Sequence, residues 1–82
     1  MYRVQDRVQD AVEVLRDFYT GSVIPEEFDF YPDPMVSFVW LAISPKNEVA
    51  YIVYSDENDA EFVPPDTARK EVKKKNLEPF VV

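Results

Sequence analysis

Two segments of this chain concentrate carboxylates. One is Glu26-Glu27-Phe28-Asp29-Phe30-Tyr31-Pro32-Asp33, which interleaves acids with large rings; the other is Asp56-Glu57-Asn58-Asp59-Ala60-Glu61. Acids of this density suggest three chemistries: acid–base catalysis, cation binding, or attraction of a basic macromolecule. The chain holds no histidine and no cysteine. That removes the usual base near neutral pH, the thiolate nucleophile and the commonest transition-metal ligands. A single glycine cannot build a phosphate-cradling loop. A Ser-Lys or double-carboxylate site is compatible with the composition, but no spacing marks one. No catalytic residue and no cofactor are therefore assigned.

The second acidic segment invites comparison with a calcium loop. Asp56 and Asn58 suit the first and third ligand positions. Ala60 fails at the fifth, Glu61 replaces the glycine of the sixth, and Thr67 stands where a bidentate glutamate belongs. A solvated turn accounts for it better, and no metal site is assigned.

Recognition of a protein is the reading that remains. Rings anchor an interface and charge steers the encounter. The candidate contact residues are Glu26, Glu27, Phe28, Asp29, Phe30, Tyr31, Asp33, Asp56, Glu57, Asp59 and Glu61. From Asp17 to Asp66 the only basic residue is Lys46, and the net charge is −7. Such a body repels nucleic acid and anionic lipid and favours a partner with a basic surface. The opposite run, Arg69-Lys70-Glu71-Val72-Lys73-Lys74-Lys75, has no interleaved aromatic and suits the negative end of a helix. Direct nucleic-acid binding is not expected.

The elements that must position these residues follow from periodicity. Val4, Val8, Ala11, Val12, Leu15, Phe18 and Tyr19 form one helical stripe within residues 3 to 19, and Gly21 suits the left-handed residue after a helix. Arg3 with Asp6 and Arg7 with Asp10 are spaced for surface pairing. Residues 22 to 34 read as a connector, because three prolines forbid a regular helix or central strand. Met35 to Ser44 and Val49 to Ser55 read as a β-hairpin around Ser44-Pro45-Lys46-Asn47, with Asn47 in the left-handed position. That turn predicts Ile43 opposite Val49, Leu41 opposite Tyr51 and Val39 opposite Val53.

In this register both hairpin faces are apolar. The first helix can cover one. The other carries Phe38, Trp40, Ile52 and Tyr54 and needs a second cover, either within the chain or from another molecule. Asp56 to Asp59 read as a turn, Ala60 to Val63 as a short strand, and Asp66 or Thr67 to about Asn76 as a marginal, exposed helix with only Ala68 and Val72 on its apolar face. Leu77 to Val82 read as a last strand, which Pro79 assigns to an edge.

The predicted fold is α+β: an N-terminal amphipathic helix packed on a small antiparallel sheet, in the order α-β-β-β-α-β, as one acidic domain over residues 1–82. The longest apolar run, Phe38 to Ile43, is far below the roughly 20 residues of a membrane helix. No apolar leader follows Met1 and no cysteine is present, so a cytoplasmic location is expected. The predicted function is a non-catalytic protein-binding modulator of the inhibitor, immunity or adaptor type, docking its acidic, aromatic surface on a basic site as a partial nucleic-acid mimic. Very small acidic domains of this kind are common among phage and mobile-element products, a fold-level analogy. The alternative is a structural or accessory subunit, in a homodimer or a larger complex, joined through the second sheet face.

Overall fold

The computed structural model describes residues 4–19, 24–36 and 38–80. Its elements run α1 (Val4–Phe18), a 3-10 turn (Pro25–Glu27), β1 (Asp29–Pro32), β2 (Val39–Ser44), β3 (Val49–Tyr54), β4 (Asp59–Val63) and α2 (Pro65–Lys75). The four strands form one antiparallel sheet in the order β1-β2-β3-β4. The class is α+β with the N-terminal helix on the sheet, and the order is α-β-β-β-β-α. The added strand, β1, comes from the proline-rich connector.

Proline is tolerated there because β1 is an edge. Asp33 donates its N–H to the Val39 carbonyl, while the Phe30 carbonyl accepts the Phe80 N–H from outside the sheet at 2.7 Å. By alternation, Phe30 and Pro32 point outward, so the N–H that Pro32 lacks is one the β1–β2 ladder does not need. The contact at Phe80 is an isolated antiparallel bridge rather than a full last strand.

The hairpin register differs from the expected one by a single residue. Ser44 pairs with Val49, Ile43 with Ala50, Ala42 with Tyr51 and Trp40 with Val53. The loop is Pro45 to Glu48, one residue longer than the Asn47 turn would make it. Glu48, not Asn47, takes the left-handed conformation, with φ of 53°. The Ser44 hydroxyl accepts the Asn47 N–H and the Ser44 carbonyl accepts the Glu48 N–H, closing the four-residue loop. The next hairpin repeats the design, with Tyr54 opposite Asp59 and Asn58 left-handed at φ 53°.

A one-residue slip moves every side chain of a strand to the other face. Phe38, Trp40, Ile52 and Tyr54 therefore do not form one surface. Trp40 lies with Ala42, Tyr51, Val53, Ala60, Phe28 and Phe30 in a cluster capped by Val8, Ala11, Val14 and Leu15 of α1. Phe38 follows the parity of Trp40 but is exposed, and it stands just before β2, which begins at Val39 rather than Met35. Asp33 shortens the strand: its Oδ1 accepts the N–H groups of Met35 and Val36 at 2.8 and 2.9 Å, folding them into a turn.

Ile52 and Tyr54 share the opposite face with Ile43 and Ala50. That face is covered in part from within the chain: Ile43 and Ala50 are buried, while Ile52 and Tyr54 stay half-buried. Ala68 is fully buried against Ile43 and Ala50, with Tyr31, Leu41, Val63 and Val72 packed around them. α2 is largely exposed, as its sparse apolar face suggested, but Ala68 and Val72 are enough to seat it on the sheet. Small residues meet there, Ala68 on the helix and Ala50 on the sheet, and small residues allow close approach. The molecule is three layers, α1, sheet and α2. Within α1, Val14 is buried while Phe18 at the C-terminal end is exposed. Gly21, the Arg3–Asp6 and Arg7–Asp10 side-chain pairs and the last two residues lie outside what the structure describes.

Candidate functional site

The two acidic segments behave differently once folded. In the first, Phe28 and Phe30 are buried in the α1-facing core, and Tyr31 is half-buried on the α2 side. The rings of Phe28 and Phe30 are spent on the core, whereas Tyr31 keeps part of its ring exposed. The acids around them are largely matched by cations of this chain. Arg16 lies 3.2 Å from Glu26. Lys46 and the Asn47 amide both donate to Glu27, at 3.1 and 2.6 Å, and this holds the Glu27 carboxyl below its ordinary value. Asp33 is partly buried, which works against its charge. The Met35 and Val36 amides and the Lys75 ammonium at 3.7 Å prevail and keep its pKa low. Asp29 is the exposed acid of this segment with no ion pair among the described residues.

The second segment is the β3–β4 hairpin. Asp56 and Glu57 lie in its loop; Asp59 and Glu61 lie on β4. Among the described residues none of these four is paired with a lysine or arginine. Two cations of α2 are engaged elsewhere: Arg69 donates to both oxygens of Glu48 at 2.9 Å, and Lys75 bridges Asp33 and Glu71. Asp59 accepts only the neighbouring Ala60 N–H, at 2.8 Å.

Tyr54 reports this field. It lies opposite Asp59, and its neighbour Ile52 lies opposite Glu61, so Tyr54, Asp59 and Glu61 share one face. The phenol pKa is raised, first by burial and then by the charges of Glu61, Glu57 and Asp59. No three described carboxylates converge in a way that would hold a metal ion.

On the other face of β4 stands Phe62, 61% exposed although it is a large apolar side chain. It rests edge-on against Tyr51, with ring centroids 6.2 Å apart. Tyr51 stacks on Tyr19, which touches the exposed Phe18. From sequence, Phe18 and Tyr19 belong to the helical stripe, and Phe62 is not among the candidate contact residues. A clue was present in Glu61-Phe62, an acid and a ring alternating on a short strand. That Phe62 stays exposed on the α1 side of β4 is something no local pattern reveals.

The assembled site is thus the β3–β4 hairpin and its edge, with Asp59, Glu61 and Tyr54 toward one side, Asp56 and Glu57 in the loop, and Phe62 toward the other side. A comparison with protein-family models, with curated proteins and with solved structures finds no match to this chain.

Proposed function

We propose that this protein is a small non-catalytic binding modulator, of the inhibitor, immunity or adaptor type, that acts in the cytoplasm. It docks the acidic β3–β4 hairpin on a basic site of a protein partner. Where that basic site ordinarily holds nucleic acid, the carboxylates of Asp56, Glu57, Asp59 and Glu61 stand in for phosphates. One observation carries this reading: among the described residues these four acids have no ion pair, while Glu26, Glu27, Asp33, Glu48, Asp66 and Glu71 each have one. Surface charges left unmatched repel one another within the fold and gain most when a cationic surface arrives. α2 covers the Ile43 and Ala50 part of the second sheet face, which leaves less of it for the alternative, a subunit joined through that face.

The test is affinity capture from the native host followed by binding kinetics. A partner retained by the wild-type protein should be lost, by about tenfold or more in affinity, with the D56N/E57Q/D59N/E61Q variant, and kept by E26Q/E27Q. Association should slow as the Debye length falls from about 10 Å at 0.1 M salt to about 3 Å at 1 M. An on-rate indifferent to salt and to the fourfold variant rejects the reading.

A further inference from the structure

The strand that carries Asp59 and Glu61 is also an open edge of the sheet. β1, at the far edge, is partly closed by Phe80, whereas β4 has β3 on one side and, among the described residues, no strand on the other. The direction of its backbone groups follows from the ladder. Phe30 points out of the sheet at β1, and alternation across β2 and β3 turns Asp59, Glu61 and Val63 inward and Ala60 and Phe62 outward. The Ala60 N–H is taken by the Asp59 carboxylate. The N–H and C=O of Phe62 have no partner among the described residues, and neither does the outward C=O of Ala60. Pro64 and Pro65 end the edge immediately afterwards.

We infer that β4 accepts an antiparallel strand from the basic partner, a strand in which lysine or arginine alternates with apolar residues. This rests on the docking reading above and specifies its geometry. Strand addition supplies main-chain hydrogen bonds for affinity and alternate side chains for specificity. Residues paired across an antiparallel ladder share a face. An incoming apolar residue opposite Phe62 therefore packs beside its exposed ring, and the flanking basic residues fall on the side of Asp59, Glu61 and Tyr54. A second copy of this chain fits badly: two β4 strands joined edge to edge would bring both pairs of Asp59 and Glu61 onto one face of the shared sheet. Like charges so placed repel, a known guard against edge-to-edge self-association.

The parity makes a sharp test. The probe is a capped seven-residue peptide alternating lysine and valine, beginning and ending with lysine. In the inferred geometry the valine N–H groups face β4 and the lysine N–H groups face solvent. N-methylation of the valines should weaken binding by at least about tenfold, as expected for two or more lost main-chain bonds. N-methylation of the lysines should leave binding nearly unchanged, though the charge is the same. The unmodified peptide should slow hydrogen exchange at the Phe62 amide. D59N/E61Q, which keeps an acceptor for the Ala60 N–H, should weaken the peptide and flatten its salt dependence while circular dichroism stays unchanged. Absence of peptide binding, or equal binding by the two methylated peptides with Phe62 exchange unaltered, overturns strand addition. Loss of the captured host partner in the fourfold variant would still uphold the docking reading in that case. Salt-independent binding of the peptide that D59N/E61Q does not weaken removes the electrostatic basis of both.

Discussion

Leu15 is fully buried and belongs to the same cluster as Trp40, Val53 and Ala60. It is the largest α1 side chain buried in that cluster. Leu15→Ala should cost about 2–5 kcal/mol, the range for buried leucine truncations. Urea unfolding of the two proteins checks this, and a loss under about half a kcal/mol would contradict the packing of α1 on the sheet. Single residues also decide the loops. Glu48 adopts a left-handed conformation that glycine or asparagine takes more easily. Arg69 grips it with two hydrogen bonds from one nitrogen, tying the β2–β3 loop to α2. The pair is exposed and its energetic worth is small, but it helps fix where α2 begins its passage over the sheet.

At the scale of elements, α2 is the part whose importance was hardest to foresee. Its Pro65 start suits a first helical position, and Asn76 closes it in the left-handed conformation, with its N–H directed at the Val72 and Lys73 carbonyls. Lys73, Lys74 and Lys75 occupy the last turn, where cations are favourable. Its docking depends on Ala68. Ala68→Glu would bury an unpaired carboxylate against Ile43 and Ala50, at a cost the small interface cannot absorb. The expected outcome is release of α2, exposure of Ile43, Leu41 and Tyr31, and a rise in dye binding to apolar surface, with α1 still on its own face. A variant with native stability and no added dye binding would show that α2 does not cover this face.

At the scale of the whole molecule, stability should depend on pH at both extremes and little in between. Glu27 and Asp33 have folded pKa values below their ordinary 4.5 and 3.8. Their contribution is present above those values and is lost as pH falls through the folded ones. Tyr19, Tyr31 and Tyr54 have folded values above 10.0, in each case chiefly through burial. Their contribution is present below 10.0 and is lost as pH rises through the folded values. With no histidine, no side chain of ordinary pKa titrates between about 5 and about 9. Denaturation midpoints at a series of pH values should form a plateau with two falling flanks. A sharp optimum near neutrality would contradict it.

What the chain determines by itself is the class of its elements. Period-3.6 spacing marks α1, runs of β-branched and aromatic residues mark β2 and β3, and the lack of histidine and cysteine bounds the chemistry, all through local preference. The tertiary structure decided which faces those elements present. The hairpin loop gained one residue because Glu48 could be held left-handed, and that step sent Trp40 to one side of the sheet and Ile52 to the other. It also decided that Phe28 and Phe30 are core, that Ala68 and Ala50 suffice to seat a second helix, and that Asp59 and Glu61 of β4, unlike Glu26, Glu27 and Asp33, have no ion pair among the described residues. These outcomes depend on which distant side chains meet, and register, burial and ion pairing are properties of that meeting rather than of any local stretch of sequence.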